Sequence, residues 1–250
     1  MFTDLADVQL ALRPACEKLH LGCGVTRLEG WTNADLYATC ATDLVFDCQE
    51  PWPLAHDSLE AVYGSHMLEH LAKPLALFQH AWRALRHQGL LWLRLPYGNH
   101  RAAWWDLEHQ RPWFAENFCC VQPGYAAAIG NPQHDAWQWP YLVEQVNIRV
   151  SAKAARLLRL PLLGRWLLPH ITSVPDACEE LFATLRALKT PEAVESCMRS
   201  RPANFVPTQL VCYAHHWRRQ PAPEAVRFQV LGRALPNQRR GYGRAAGEEP

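Results

Sequence analysis

The sequence predicts an α/β protein built on a mostly parallel sheet, and three observations support this prediction. Short apolar strands alternate with turns and with segments of helical periodicity, a rhythm typical of strand–helix–strand units. The chain has 250 residues, of which 49% are hydrophobic and 20% are charged. That size and composition suit one globular domain with a modest addition. Finally, glycines and acidic residues follow directly after several predicted strands.

The apolar patterns place seven strands and several helices. A first helix is expected at 4–12, and the helix between the fourth and fifth strands has Leu75, Phe78, Trp82 and Leu85 at helical spacing. Gly89 is expected to end that helix. Further helices are expected at 116–121, 152–160, 176–188 and 191–199. The predicted strands cover residues 17–21, 32–36, 43–46, 59–65, 90–95, 143–150 and 208–214.

No internal repeat or linker divides the chain, so a single domain over residues 1–220 is expected. Its core spans about 17–118, and residues 97–205 hold the loops and helices that elaborate it. Residues 221–250 have the composition of a flexible tail. Residues 154–168 mix Leu with Arg; we expect this segment to cap the functional site, and a membrane-facing amphipathic segment is the alternative.

Composition and charge exclude several classes of protein. A net charge of +1 argues against a nucleic-acid partner. No apolar run approaches the roughly 18 residues of a membrane span, and the N-terminal residues do not have the pattern of a signal peptide. Nine cysteines without CxxC spacing predict reduced thiols. We therefore expect a cytoplasmic protein without an integral membrane segment.

Three small or acidic groups stand at the ends of the first three predicted strands. Gly22 and Gly24 follow the first strand, where the lack of a Cβ lets backbone approach a ligand closely. Asp35 ends the second strand, and its carboxylate suits two ribose hydroxyls. Asp47 ends the third strand, within reach of an adenine amino group. In doubly wound sheets, this edge is where ligands bind.

These residues belong to stretches that resemble the opening of the type-11-like class I S-adenosylmethionine-dependent methyltransferases. The resemblance implies a Rossmann-like, seven-stranded, mostly parallel sheet with helices on both faces and a C-terminal helical elaboration. The stretches that carry it are KLHLGCG at 18–24, GWTNADL at 30–36, DLVFD at 43–47, PWPL at 51–54 and SHMLEHL at 65–71.

The resemblance also implies a binding site for S-adenosylmethionine. The glycine motif would hold the methionine part, Asp35 the ribose, and Asp47 would lie by the adenine. A nicotinamide dinucleotide fits less well, because the sequence has no GxGxxG and Asp35 follows Gly24 too closely. The expected cofactor-binding residues are Leu21, Gly22, Cys23, Gly24, Asp35, Asp47, Ser65 and His66.

A second group of residues surrounds the predicted end of the fourth strand. His66, Glu69 and His70 share one face of a helix by their spacing, and His109 after the fifth strand could reach the same place. Three imidazoles and one carboxylate could bind a divalent metal. A histidine among His66, His70 and His109 could instead act as general base. The third interpretation is that these side chains only cap and pack the helix start.

The sequence thus favours a methyltransferase that methylates oxygen on a small molecule or saccharide, with a histidine as base. A non-catalytic S-adenosylmethionine-binding scaffold with the same fold is the alternative. An enzyme that uses the cofactor for another transfer is a third hypothesis. The identity of the acceptor and the oligomeric state cannot be read from the residues.

Overall fold

The computed structural model describes residues 16–130, 139–213, 223 and 228–232. Within these residues, a sheet of nine strands forms the centre of the molecule. The strands are β1 (Lys18–Leu21), β2 (Thr32–Asp35), β3 (Leu44–Val45), β4 (Leu59–Ser65), β5 (Leu85–Pro96), β6 (Tyr141–Val150), β7 (Cys178–Ala187), β8 (Thr208–Tyr213) and β9 (Phe228–Gly232). They lie in the order β3-β2-β1-β4-β5-β7-β6-β8-β9.

The helices occupy the connections between these strands. Short 3-10 turns lie at Leu68–His70, Arg101–Ala103, Ala115–Val121 and Leu168–Ser173. The α-helices are α1 (Pro74–Ala84), α2 (Tyr125–Ala128), α3 (Ala152–Leu158), α4 (Pro161–Leu167) and α5 (Pro191–Ser200).

Strands β1 to β5 are mutually parallel where they pair, and β7 runs antiparallel to both β5 and β6. The chain order reverses at β1, because β2 and β3 lie on one side of it and β4 and β5 on the other. Such a switch point opens a crevice at the carboxyl ends of the strands. The predicted Rossmann-like, mostly parallel α/β fold is confirmed, and the switch point locates its binding crevice.

The predicted count of seven strands is wrong, because two further strands were not expected. Residues 176–188 were expected to be helical, but 178–187 form β7, with Leu181, Ala183 and Leu185 buried at every second position. Their favourable helix propensity is overridden because the segment fills the gap between β5 and β6. The expected tail from residue 221 is wrong over 228–232, which form β9 and pair with β8.

The end of α1 also differs from the prediction. The helix ends at Ala84, before Gly89, and Leu85 already pairs with Leu59 of β4. The register shifts before Leu90 pairs with Ala61, and Gln88 has a positive φ of 66°. β5 therefore begins at Leu85 with an irregular segment. The apolar spacing predicted the last turn of the helix at these residues.

The main core lies on the face of the sheet that α1 covers, where Leu77, Phe78 and Ala81 pack against the strands. A smaller cluster joins Leu28 and Trp31 to Tyr63 of β4. Leu28 and Trp31 lie in the loop between β1 and β2, and residues 22–31 of that loop form no helix. The predicted helix at 4–12 lies outside the described residues. The cysteines are free thiols.

Candidate active site

A cavity of about 530 Å³ opens at the carboxyl ends of β1, β2 and β4. Its size is that of a small-molecule site, which typically measures about 300–1,000 Å³. The topological switch point lies here, so the cavity occupies the place where such sheets bind ligands. The predicted cofactor-binding residues that line it are Leu21, Gly22, Gly24, Asp35, Asp47 and His66.

Two predicted cofactor residues do not line the cavity. Cys23 is buried beneath the glycine loop, where its Sγ lies 3.7 Å from Thr42 Oγ1. Ser65 is buried at the end of β4. Cys23 lies between the cavity-lining Gly22 and Gly24, and Ser65 directly precedes the cavity-lining His66. The motif therefore places each segment at the cavity but does not resolve which of its residues face it. Residues that the sequence analysis missed include Tyr37, Phe46, Cys48, Gln49, Met67, Leu71, Glu108 and Gln110.

The glycine loop after β1 needs its glycines for two different reasons. Gly22 has a φ of +61°, and a Cβ there would lie 2.8 Å from Cβ of Met67. Gly24 also has a positive φ, of +53°, but a Cβ there would meet nothing within 4 Å. Gly22 therefore lets the loop pack against the segment after β4, and Gly24 leaves open space beside the cavity.

The carboxylate of Asp35 holds the loops on both sides of it. Its Oδ2 accepts a hydrogen bond from Gly24 N at 2.8 Å, and its Oδ1 accepts one from Tyr37 N at 3.1 Å. An ionised carboxylate has about four acceptor positions, so further donors can be accommodated. Asp47 is arranged similarly, since its Oδ1 accepts from Gln49 N at 2.8 Å. Two acceptor groups thus stand at the β2 and β3 ends of the cavity.

His66 lies between two carboxylates, one three residues further along the chain and one on β7. Its Nε2 is 3.1 Å from Oε1 of Glu180 on β7, and its Nδ1 is 3.4 Å from Oε1 of Glu69. Arg94 on β5 and Arg149 on β6 donate to Glu180 from the other side, at 2.8 and 2.7 Å. With both ring nitrogens facing carboxylates, the doubly protonated imidazolium is the form that satisfies both contacts.

The electrostatics of this group follow from its geometry. Burial alone lowers the pKa of His66, but its contacts with Glu180 and Glu69 outweigh burial and raise that pKa to about 9. Burial raises the pKa of Glu180, whereas the bond from His66 and the charges of Arg94 and Arg149 lower it well below its usual range. His66 is therefore a cation at neutral pH, and a protonated imidazole cannot take a proton from a substrate.

A stability measurement can test this charge state. Because the pKa of His66 is raised to about 9 in the folded protein, against about 6.5 in an unfolded chain, protonation stabilises the fold fully below about pH 6.5. That contribution is lost as the pH rises through about 9. We expect the difference in Tm between the wild type and His66→Gln to be largest at pH 6 and to shrink up to pH 10.

Charged groups other than His66 also meet at this site, namely Glu69, Glu180, Arg94 and Arg149. The comparison therefore needs a control variant at a histidine outside the site. His56 is exposed, so the Tm of His56→Gln should follow the wild type over the same pH range. A difference between wild type and His66→Gln that stays constant from pH 6 to pH 10 would contradict the cationic state.

Three of the four predicted metal or base residues converge. Ligand atoms of Glu69, His70 and His109 all lie within 4.8 Å of one another, and His66 is not part of this group. The rings of His70 and His109 are 4.6 Å apart between centroids. The backbone explains the convergence, because Gln110 N donates to the Glu69 carbonyl at 2.8 Å and so holds the loop containing His109 against the Leu68–His70 turn.

The members of this cluster have different surroundings. Glu69 is 2% exposed. Its contact with His66 Nδ1, at 3.4 Å from Oε1, is an ion pair, and within the described residues neither carboxylate oxygen accepts a hydrogen bond of normal geometry. His109 Nδ1 donates to the Ala103 carbonyl at 3.2 Å, and its Nε2 lies 3.8 Å from Oδ2 of Asp106. His70 lines the cavity, whereas His109 does not. Of these two imidazoles, the one of His70 therefore borders the cavity.

No protein-family model matches the sequence, and no curated protein matches it. Several solved structures are similar at low identity. The (4+2)-cyclase SpnF is 11% identical with a TM-score of 0.44, over 69% of this chain and 74% of that chain. An S-adenosylmethionine-dependent methyltransferase from Archaeoglobus fulgidus is 11% identical with a TM-score of 0.45, over 70% and 87%.

A further similar structure comes from Brevibacillus brevis. It is the O-methyltransferase of a trans-AT polyketide synthase in complex with S-adenosyl-L-homocysteine, 13% identical with a TM-score of 0.40, over 75% of this chain and 79% of that chain. These scores are too low to transfer a function. The strand order and the cavity of this chain carry the functional argument.

Proposed function

We propose that this protein is an S-adenosylmethionine-dependent methyltransferase that methylates a hydroxyl oxygen of a small molecule or saccharide. The observation that carries the proposal is the lining of one cavity by Gly22, Gly24, Asp35 and Asp47 at the carboxyl ends of successive strands. The two acidic groups and the open glycine backbone match, in order, the ribose, adenine and methionine parts of the cofactor.

The residues present fit this cofactor in shape and charge. A Cβ at Gly24 would project into open space, so its absence leaves room for a ligand beside the loop. Asp35 is fixed by two backbone N–H groups and can accept bonds from two vicinal hydroxyls without reorganising. Phe46 and Leu71 add apolar lining, suited to a planar base.

The chemistry requires positioning and a proton acceptor. Bound S-adenosylmethionine supplies an electrophilic methyl group on a sulfonium. The cavity would hold the acceptor hydroxyl in line with that methyl, since orientation supplies much of the rate enhancement. His70 would take the hydroxyl proton as the methyl group passes from sulfur to the hydroxyl oxygen, with S-adenosylhomocysteine as the leaving group. The raised pKa of His66 favours His70 over His66 for this role, and the ring of His109 contacts that of His70.

A second candidate function uses the same residues differently. Glu69, His70 and His109 offer one carboxylate oxygen and two imidazole nitrogens within 4.8 Å. This donor set suits Mn²⁺, Fe²⁺, Co²⁺ or Zn²⁺ better than Mg²⁺. The Nδ1 contact of His109 with a carbonyl is the supporting arrangement that metal-binding histidines usually have. A metal there would activate the acceptor hydroxyl in place of a free base.

Binding measurements test the cofactor assignment. We expect micromolar dissociation constants for S-adenosylmethionine and S-adenosylhomocysteine by calorimetry, on the order of usual substrate affinities. Asp35→Ala should weaken both about ten- to a hundredfold, because charge-assisted hydrogen bonds contribute roughly 1.5–3 kcal/mol. The control is Glu29→Ala, since the Glu29 side chain is 92% exposed and does not line the cavity.

Two outcomes would contradict the assignment. Folded wild-type protein that gives no heat with either ligand would remove the cofactor. An unchanged affinity in Asp35→Ala would mean that the ribose contact lies elsewhere. Tight binding without methyl transfer to any metabolite in a cell extract, followed with labelled cofactor, would favour the non-catalytic scaffold.

A further inference from the structure

Helices α3 and α4 form a short hairpin with an unusual outer face. We call residues 152–167 the Leu-Arg hairpin. Its inner side packs well, because Ala154, Ala155 and Gly164 are buried. A Cβ at Gly164 would overlap the Leu158 carbonyl, so the two helices are in close contact. The outer apolar side chains are therefore not the result of loose packing.

Large apolar side chains point outward from this hairpin. Leu162 is 86% exposed and Trp166 is 70% exposed, and the remaining exposed ones are Leu157, Leu160 and Leu163. Single exposed apolar residues are normal on a protein surface, but these five lie within ten consecutive residues, and a concentration of exposed apolar side chains is typical of an interaction site. Within the described part of the chain, no other helix exposes as many large apolar residues.

The hairpin also carries charge of one sign. Residues 151–175 include Lys153, Arg156, Arg159 and Arg165 and contain no Asp or Glu. Leu and Trp interspersed with Lys and Arg, without acids, is the composition of a helix that lies in a membrane interface. Basic residues near the surface of an anionic bilayer are attracted to its headgroups. The charge therefore indicates an anionic surface as the occupant.

The position of the hairpin supports a surface role at the active-site edge. Because β7 is antiparallel to both β5 and β6, β6 is parallel to β5, and Val150 ends β6 at the edge where the cavity opens. Trp104, Trp105 and Leu107, after β5 at the same edge, are more than half exposed. Among the described residues that line the cavity, none belongs to the hairpin, which argues against the expected cap.

We propose that the Leu-Arg hairpin binds the surface of an anionic phospholipid bilayer, with Leu162 and Trp166 inserted among the acyl chains and the basic residues at the headgroups. The contact is peripheral: within the described part of the chain, every helix is too short or too polar to pass through a bilayer. The cavity edge then faces the membrane. The proposal is independent of the methyl-transfer chemistry, because it rests on residues outside the cavity.

Sedimentation with vesicles tests the proposal. The full-length protein should pellet with phosphatidylcholine vesicles that contain phosphatidylglycerol, and much less with phosphatidylcholine alone. Leu162→Ser combined with Trp166→Ser should reduce binding roughly tenfold or more, and raised salt should reduce it further. The matched control is Met198→Ser on α5, which replaces an exposed apolar residue away from the hairpin.

The possible outcomes distinguish membrane binding from self-association and from the cofactor assignment. Equal sedimentation of the double variant and the wild type would overturn it, as would absence of binding to anionic vesicles. Self-association that the double variant abolishes, without vesicle binding, would assign the hairpin to a second copy of the chain and also overturn it. S-adenosylmethionine affinity and circular dichroism should be the same in all variants, so a failure here leaves the cofactor assignment standing.

Discussion

Replacing His70 with alanine is expected to lower turnover roughly a hundred- to ten-thousandfold, the usual contribution of a general base, and to leave cofactor affinity nearly unchanged. His70 is the imidazole of the convergent cluster that lines the cavity. Its side chain is half-buried at the end of a short turn, so alanine removes no core packing. Steady-state kinetics and calorimetry on the same preparation measure the two quantities.

His56→Ala is the matched control, because His56 is exposed and is not among the residues that line the cavity. Its turnover should equal that of the wild type. If His70→Ala retains wild-type turnover, the cluster serves packing alone and the base lies elsewhere.

Chelators separate the two functional roles of His70. With His70 as a free base, dialysis against a strong chelator leaves wild-type activity intact. With a metal on Glu69, His70 and His109, chelation abolishes activity, and added Mn²⁺, Co²⁺ or Zn²⁺ restores it. His109→Ala refines the distinction: it should abolish metal dependence in the second case and reduce turnover only partly in the first.

Replacing Gly22 with alanine is expected to destabilise the fold by about 2–5 kcal/mol and to abolish measurable cofactor binding. The left-handed backbone of Gly22 costs an alanine about 1–2 kcal/mol. The added Cβ would also lie 2.8 Å from Cβ of Met67, and overpacking of this kind costs about 1–3 kcal/mol. Urea titration followed by fluorescence measures the free energy of unfolding.

Two further variants separate backbone strain from the steric clash. Gly30→Ala has the same kind of strain, with φ +77°, but meets nothing within 4 Å, so it should lose only the backbone part. Gly22→Ala should cost less stability in a Met67→Gly background than in the wild type, since glycine at 67 removes both atoms that the new Cβ meets, at 2.8 and 3.2 Å. Equal destabilisation by Gly22→Ala and Gly30→Ala would show that the contact with Met67 has no energetic weight.

The parts of the fold that could be predicted from sequence are those with local signals. Residues 59–65 have the apolar pattern of a buried strand, and they form β4 with the predicted bounds. Residues 178–187 have no such local signal, because their Glu, Leu and Ala favour a helix. They form a strand because they pair with β5 on one side and β6 on the other. The same applies to 228–232, which become a strand by pairing with β8.

The same distinction between local signals and distant contacts applies to the residues of the candidate site. Gly22, Gly24, Asp35 and Asp47 follow strands directly, so their place at the sheet edge was predictable. Glu180 was not, because it lies on the segment assigned to a helix and meets His66 across 114 positions of sequence. The raised pKa of His66 depends on that contact. The spacing of His66, Glu69 and His70 alone suggests that His66 could act as a base, whereas its contact with Glu180 favours the protonated, acidic form.

The separation between His66 and Glu180 has a consequence for biosynthesis. A growing chain can form β1 to β5 and the glycine loop long before residue 180 leaves the ribosome. Until β7 enters between β5 and β6, His66 has the carboxylate of Glu69 beside it but not that of Glu180, and Arg94 and Arg149 lack their contacts with Glu180. Contacts between such distant residues form late in folding. The nascent chain can therefore shape the cofactor pocket early, whereas the charge beside it is set only when β7 completes the sheet.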